Sequence, residues 1–438
     1  MIFLHATWFL ILFLLLLKSI SVSGFFAHRR VHPVLFQLMF ILKVCAGIVM
    51  TFIYSQFYTQ RNTADIFKYF DDSGVMWQAI HDGHPAHFAK MITGIDSQNP
   101  ELDVYYRQMI SWDEREALYN DSRIIIRCNA LLRFVSAGNY YIHMLAMCYI
   151  TLVALTMLFH AIATLLEEKF MLIFFSVFCL PSVVFWYSGM LKDGILIAAL
   201  STFIYGLFVH NKPDERILKI PLLILSFIVL LFLKTYILLI VLPGLFLLKM
   251  LNENNSLIKS TAIWITTYSI WIMTLFCIGL IFPKFNFVDM MILKQQNFFQ
   301  LAQQMKAGSY FEIAPIHSVK DLIINAPAAF YNVMLRPFIT DNRSPVVLIA
   351  AIENLLILGI AVYAIINKQK IPTKQNNIFL FCGAFSLLLF ILIGLIVPVA
   401  GAIVRYKVTA LPFFVLLFVI LVDKVKAKAH LRSLRIIK

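Results

Sequence analysis

The residues best placed to do chemistry lie in "TADIFKYFDDSGVMWQAI", Thr63 to Ile80, where Asp65, Asp71 and Asp72 follow an apolar run that ends near Tyr54. Thr63 is positioned to cap a helix beginning near Asp65. At about 3.6 residues per turn, Asp65, Tyr69, Asp72 and Met76 fall on one face and Asp71 points elsewhere. Two carboxylates on one face can act as a general base and its partner, or hold a divalent cation such as Mg or Mn, with Asp65 and Asp72 as ligands. Solvated aspartates on a surface helix would show the same spacing.

Three later clusters carry cations. In "PSVVFWYSGMLKDGILIAAL", Pro181 to Leu200, Ser188 and Gly189 make a turn, and Lys192 and Asp193 open an apolar helix. Asp193 in a first turn is favoured by the helix dipole, and Lys192 can reach toward a phosphate. In "NAPAAFYNVMLRPFITDNRSP", Arg336 stands beside Pro337, with Asp341 and Arg343 close behind. In "PVAGAIVRYKVTALPF", Gly401, Arg405, Tyr406 and Lys407 are expected in a short hairpin between the last two helices. A guanidinium binds phosphate with a planar fork. The plainer reading of all three is a lysine, arginine or tyrosine anchoring a helix end at the membrane interface.

The elements that position these residues are membrane helices. The chain has 438 residues, is 61% hydrophobic and only 14% charged, with mean hydropathy +0.83. A soluble protein would carry nearly twice that charged fraction. Apolar runs recur along the whole chain, and about eleven are long enough to cross a bilayer roughly 30 Å thick. They fall near 2–22, 34–56, 139–165, 169–187, 190–210, 217–233, 235–251, 260–282, 346–366, 377–399 and 408–423. The predicted fold class is an all-α polytopic membrane protein forming one transmembrane domain over 1–438. The break at Lys234 separates two short segments that could instead be one long bent helix. The first segment, Ile2 to Ile20, lacks a basic leader and a small-residue cleavage site and reads as a retained helix. The six cysteines show no CxxC spacing and read as small core residues.

The net charge of +14 reads as topology bias, with no nucleic-acid partner implied. The basic loops at Arg29–Arg30, Glu167–Lys169, His210–Arg216, Asn252–Lys259 and Asn367–Lys374 fall on one side, with the basic tail 424–438. That side is the cytoplasm, which puts the N-terminus outside and the C-terminus inside. Two long polar stretches, 56–138 and 283–345, then fall outside, with amphipathic helices expected near the membrane surface. All four chemical clusters land on this outer face. Acids in an early loop and cations in later ones suit a phosphate-bearing lipid whose leaving group must be stabilised.

On these residues the chain resembles the GT-C superfamily of integral membrane glycosyltransferases, which use polyprenyl-phosphate sugars as donors. Asp65 with Tyr69 resembles the family's acid followed four residues later by an aromatic. Ser188 to Asp193 and Arg405 to Lys407 resemble segments of bacterial envelope proteins of the protein-mannosyltransferase type. The resemblance implies transfer of a sugar from a polyprenyl-phosphate donor to a glycan, lipid or protein acceptor at the outer face of the bacterial inner membrane. It implies Asp65 as general base, with Asp72 orienting it or holding a cation, and leaves the catalytic acid open among Asp65, Asp71 and Asp72. Substrate binding would fall to Tyr69, Asp71, Lys192, Asp193, Arg336, Arg405, Tyr406 and Lys407. Alternatives are a polymerase or ligase for O-antigen or exopolysaccharide, acting on undecaprenyl-diphosphate glycans, and a lipid or anion transporter or flippase. A transporter would place ionisable residues in mid-membrane. Helix interiors are expected to be nearly free of them, with Lys43 and Glu353 close to helix ends.

Overall fold

A computed structural model describes residues 2–27, 31–57, 60–112, 121–166, 169–209, 216–305, 307–341, 345–423 and 426. Arg29–Arg30, Glu167, the stretch 210–215, Arg343 and nearly all of the basic tail lie outside the described residues. Among the described residues the regular structure is helical, and the only strand-like pairings are isolated bridges at Tyr310–Val399 and Lys368–Val422.

The helices are α1 Ile2–Val22, α2 Pro33–Phe57, α3 Asp65–His81, α4 Pro85–Thr93, α5 Asp103–Tyr106, α6 Ser122–Ser136, α7 Tyr140–Leu165, α8 Phe170–Phe178 and α9 Pro181–Trp186. After them come α10 Lys192–Phe208, α11 Arg216–Met250, α12 Leu257–Ile281, α13 Phe287–Gln304, α14 Val319–Leu335, α15 Pro345–Ile366, α16 Asn376–Ile396, α17 Ala400–Lys407 and α18 Leu411–Leu421. Among the described residues, seven helices are long and apolar enough to cross a membrane: α1, α2, α7, α11, α12, α15 and α16. The pair α17–α18, bent by 64°, would make an eighth as one broken span. The protein is a multi-pass helical membrane protein.

The difference from about eleven expected crossings has local causes. The run 169–187 breaks into two short helices at Pro181, and α10 has only 17 residues. The two segments around Lys234 are helices joined end to end across a kink at Lys234 (φ −150°, ψ 77°), and together they count as one span. The last expected helix is preceded by a helix instead of a hairpin, because 400–407 is itself helical.

The chain divides into two compact units, one of residues 1–161 and 183–235, the other of 162–182 and 236–438. In the first unit, α1 packs on α2, while α3 packs on α4 and α6. The helical cluster in 60–137 follows from its capping. Proline opens α4 and Gly94 closes it in the left-handed conformation, φ +77°. In the second unit, α16 is the hub, touching α12, α13, α14, α17 and α18. Its residues Phe381 and Phe385 meet Phe413 edge to face, and a side chain at Gly394 would run into the carbonyl of Ala329 on α14.

Candidate functional site

In the first unit the "SG-x-x-KD" turn is clamped from below. Lys43 Nζ and Thr151 Oγ1 both donate to the carbonyl of Tyr187, at 3.0 and 2.7 Å. Cys148 Sγ donates to the Ser188 carbonyl at 3.3 Å. Helix α2 approaches closely because residue 47 is glycine: a Cβ there would lie 2.8 Å from that same carbonyl. The turn therefore delivers Lys192, the first residue of α10, at a fixed place.

Lys192 Nζ is bound by Asp121 Oδ1 at 2.8 Å and Ser122 Oγ at 2.9 Å, and lies 5.0 Å from the centre of the Tyr69 ring. Lys68 Nζ lies 5.2 Å from the same ring centre and 3.2 Å from Asp65 Oδ1. One tyrosine thus gathers two ammonium groups, a geometry worth about 0.5–2 kcal/mol per cation. The side chains of Asp65, Lys68, Lys192 and Asp121 are 28%, 18%, 12% and 25% exposed, so the cluster is sheltered yet reachable. Beside Lys192 in sequence, Asp193 is buried and meets Lys234 Nζ at 3.5 Å. The non-helical backbone at Lys234 coincides with this ion pair.

The helix phase expected for α3 is present: Tyr69, Asp72 and Met76 are buried, whereas Asp71 faces outward. The expected cap is not. A 3-10 turn at Arg61–Thr63 intervenes, so the Thr63 hydroxyl donates to Gln60 O, and Ala64 occupies the cap position. Asp71 is held by Arg61 through two parallel bonds of 2.7 and 2.9 Å. Arg61 also lines a groove of about 410 Å³ with Ile48, Thr51, Ser55, Phe67 and Tyr140. Asp72 accepts the backbone amides of Ile110 and Ser111, both at 2.8 Å, and so ties α3 to the segment after α5. Arg133 of α6 donates to Ser73 Oγ and Phe70 O of α3 at 2.8 and 2.6 Å. Burial holds the Arg133 guanidinium below its ordinary value, opposed by the charge of Asp71.

Sequence reading missed Lys68, Asp121 and Ser122. Lys68 had a signal, since it stands three residues after Asp65 and shares its face. Asp121 and Ser122 had none, being some seventy residues from the lysine they hold.

The second unit holds its charges differently. Arg336 donates to Asp341 Oδ2 at 3.0 Å and lies 4.5 Å from the Phe311 ring centre. Tyr406 meets Phe298 edge to face, and Arg405 is half-buried on α17. Lys407 is buried, with its ammonium donating to Val333 O at 3.0 Å and Asn354 Oδ1 at 2.7 Å. Glu353 is buried as well, accepting from the amide and hydroxyl of Ser182. The expectation that helix interiors are free of ionisable groups is therefore corrected. Lys43 lies near the middle of α2 and Glu353 about two turns into α15. Both are tolerated because protein groups satisfy them.

Among the described residues, no group of three or more His, Cys, Asp and Glu side chains converges as a metal ion would require. Comparison with known proteins gives no match, whether to a family model, a curated sequence or a solved structure.

Proposed function

We propose that the chain is an integral membrane glycosyltransferase of the GT-C kind, moving a sugar from a polyprenyl-phosphate donor to a glycan, lipid or protein acceptor. The observation that carries this reading is the Asp65–Lys68–Tyr69–Lys192–Asp121 cluster, in which a carboxylate and two ammonium groups surround one aromatic ring. The acceptor oxygen attacks the anomeric carbon, and the bond from that carbon to the phosphate oxygen breaks. Asp65 takes the hydroxyl proton. The phosphate leaves with the bonding electrons, and Lys192 offsets its charge. Buried Tyr69 keeps the two ammonium groups together beneath the reacting groups. The basic loops support an orientation with the N-terminus outside and the C-terminus in the cytoplasm of a bacterial envelope membrane.

The test uses intact protein in nanodiscs of zwitterionic lipid, given polyprenyl-phosphate hexoses labelled in the sugar. Release of lipid phosphate is expected, falling about 10²-fold or more in Asp65→Asn. A second reading, transport of an anion, is favoured by the buried Lys43, Glu353 and Lys407 within helices. No release from any donor, together with anion flux that Glu353→Gln abolishes, would replace the first reading with the second.

A further inference from the structure

Among the described residues, each ammonium group around Tyr69 and α10 is paired with a carboxylate: Lys68 with Asp65 at 3.2 Å, Lys192 with Asp121 at 2.8 Å, and Lys234 with Asp193 at 3.5 Å. The three pairs differ in how readily they can part. Asp193 is 1% exposed and Lys234 11%, so separating them would strand a charge in the interior. Asp65 and Lys68 are one helical turn apart on α3, so the backbone keeps them neighbours even when the side chains part. Asp121 and Lys192 come from different helical elements, and Asp121 is 25% exposed. Water can solvate it as it parts from Lys192, whose backbone is carried by the clamped turn.

The Lys192 ammonium also stands at the first residue of the 17-residue helix α10, where the helix field favours an anion. Asp65 and Asp121 match the two ammonium groups, and the helix start and the Ser122 hydroxyl add donors that favour further negative charge beside Lys192. A phosphate monoester carries more charge than a carboxylate, and monoester and diester alike offer more acceptor oxygens.

We infer that Asp121 is a built-in competitor for the phosphate headgroup of a lipid: it holds Lys192 in the unliganded protein, and the phosphate displaces it. This deepens the transferase reading, on which it rests for the identity of the site. Asp121 thereby sets how tightly the headgroup binds. A site with its ammonium groups left bare would hold any anionic bilayer lipid; the resident carboxylate raises the threshold for entry.

The experiment measures binding in nanodiscs of phosphatidylcholine. The probes are farnesyl monophosphate and inorganic phosphate, applied to wild type, Asp121→Asn, Lys192→Gln and the double variant. Removing a partly exposed competing charge should tighten farnesyl phosphate about fivefold in Asp121→Asn. The gain should vanish when Lys192→Gln is present. Inorganic phosphate should gain less if the isoprenoid chain contributes binding, and equally if the headgroup alone is read. Weaker or unchanged binding in Asp121→Asn, or a gain that survives loss of Lys192, would overturn the inference. Should Asp121→Asn fail to insert, Asp121→Ser carries the same expectation. The readout is binding, so its failure is separable from failure of the transferase reading: a tightened phosphate site in a protein that moves no sugar would keep the inference and remove the reaction.

Discussion

The Asp65–Lys192 cluster of the first unit and the Glu353–Lys407 cluster of the second contain the same residue types held in opposite ways. In the second, Lys407 donates to a backbone carbonyl and an asparagine, and Glu353 receives an amide and a hydroxyl. Both are about 2% exposed. Neutral groups of the protein make their hydrogen bonds, and the two charges also act on each other inside the protein. In the first cluster the partners are other charged side chains, each partly exposed. A carboxylate that satisfies an ammonium group can be exchanged for another anion. The lesson is that burial of a charge does not mark a binding site; the nature of its partner does.

That contrast can be broken by making the same substitution in both clusters. Lys407→Met removes the donor to Val333 O and Asn354 Oδ1 and leaves two buried acceptors unmatched. The expected loss is about 2–3 kcal/mol of stability, read by unfolding in micelles. Lys192→Met leaves Asp121, which is 25% exposed, within reach of water, so its loss should stay under about 1 kcal/mol. Equal losses would erase the distinction.

A smaller effect sharpens it at the second unit's surface. Ser318 caps α14, and Asp321 in the first turn accepts from the amide of His317 and the hydroxyl of Ser318. Those bonds, the His317 amide foremost, hold its carboxyl below the usual carboxylate range. Because the folded value is depressed, the stabilisation is present above the unfolded value near pH ~4 and is lost as pH falls through the folded one. The stability difference between wild type and Asp321→Asn should therefore be small at neutral pH and vanish in acid. A difference that grows on acidification would contradict the assignment.

Much of the fold is legible in the sequence. The apolar runs place all seven long helices, and the period of about 3.6 residues separates buried Tyr69 and Asp72 from half-buried Asp71. What sequence could not supply is of two kinds. Local competition changed details: the 3-10 turn displaced the cap from Thr63 to Ala64, and Pro181 divided one apolar run into two helices. Long-range partners changed meanings. Asp72 is equivalent to Asp65 by spacing, and only the fold turns it inward onto the amides of Ile110 and Ser111. Lys43 and Glu353 read as helix-end residues until Tyr187 O and Ser182 are seen to receive them. Asp121 carries no local signal at all.

The most direct measurement places Asp65→Asn and Asp72→Asn side by side, with sugar transfer and melting temperature read on the same nanodisc preparations. The Asp72 carboxylate holds two amides within the fold, while Asp65 sits at the reachable cluster. Asp65→Asn should lose transfer by about 10²-fold or more with its melting temperature kept. Asp72→Asn should lose stability by roughly 1–3 kcal/mol, because an amide side chain can accept at only one oxygen. An Asp65→Asn protein that transfers at the wild-type rate, or an Asp72→Asn protein that melts normally but transfers nothing, would contradict the account.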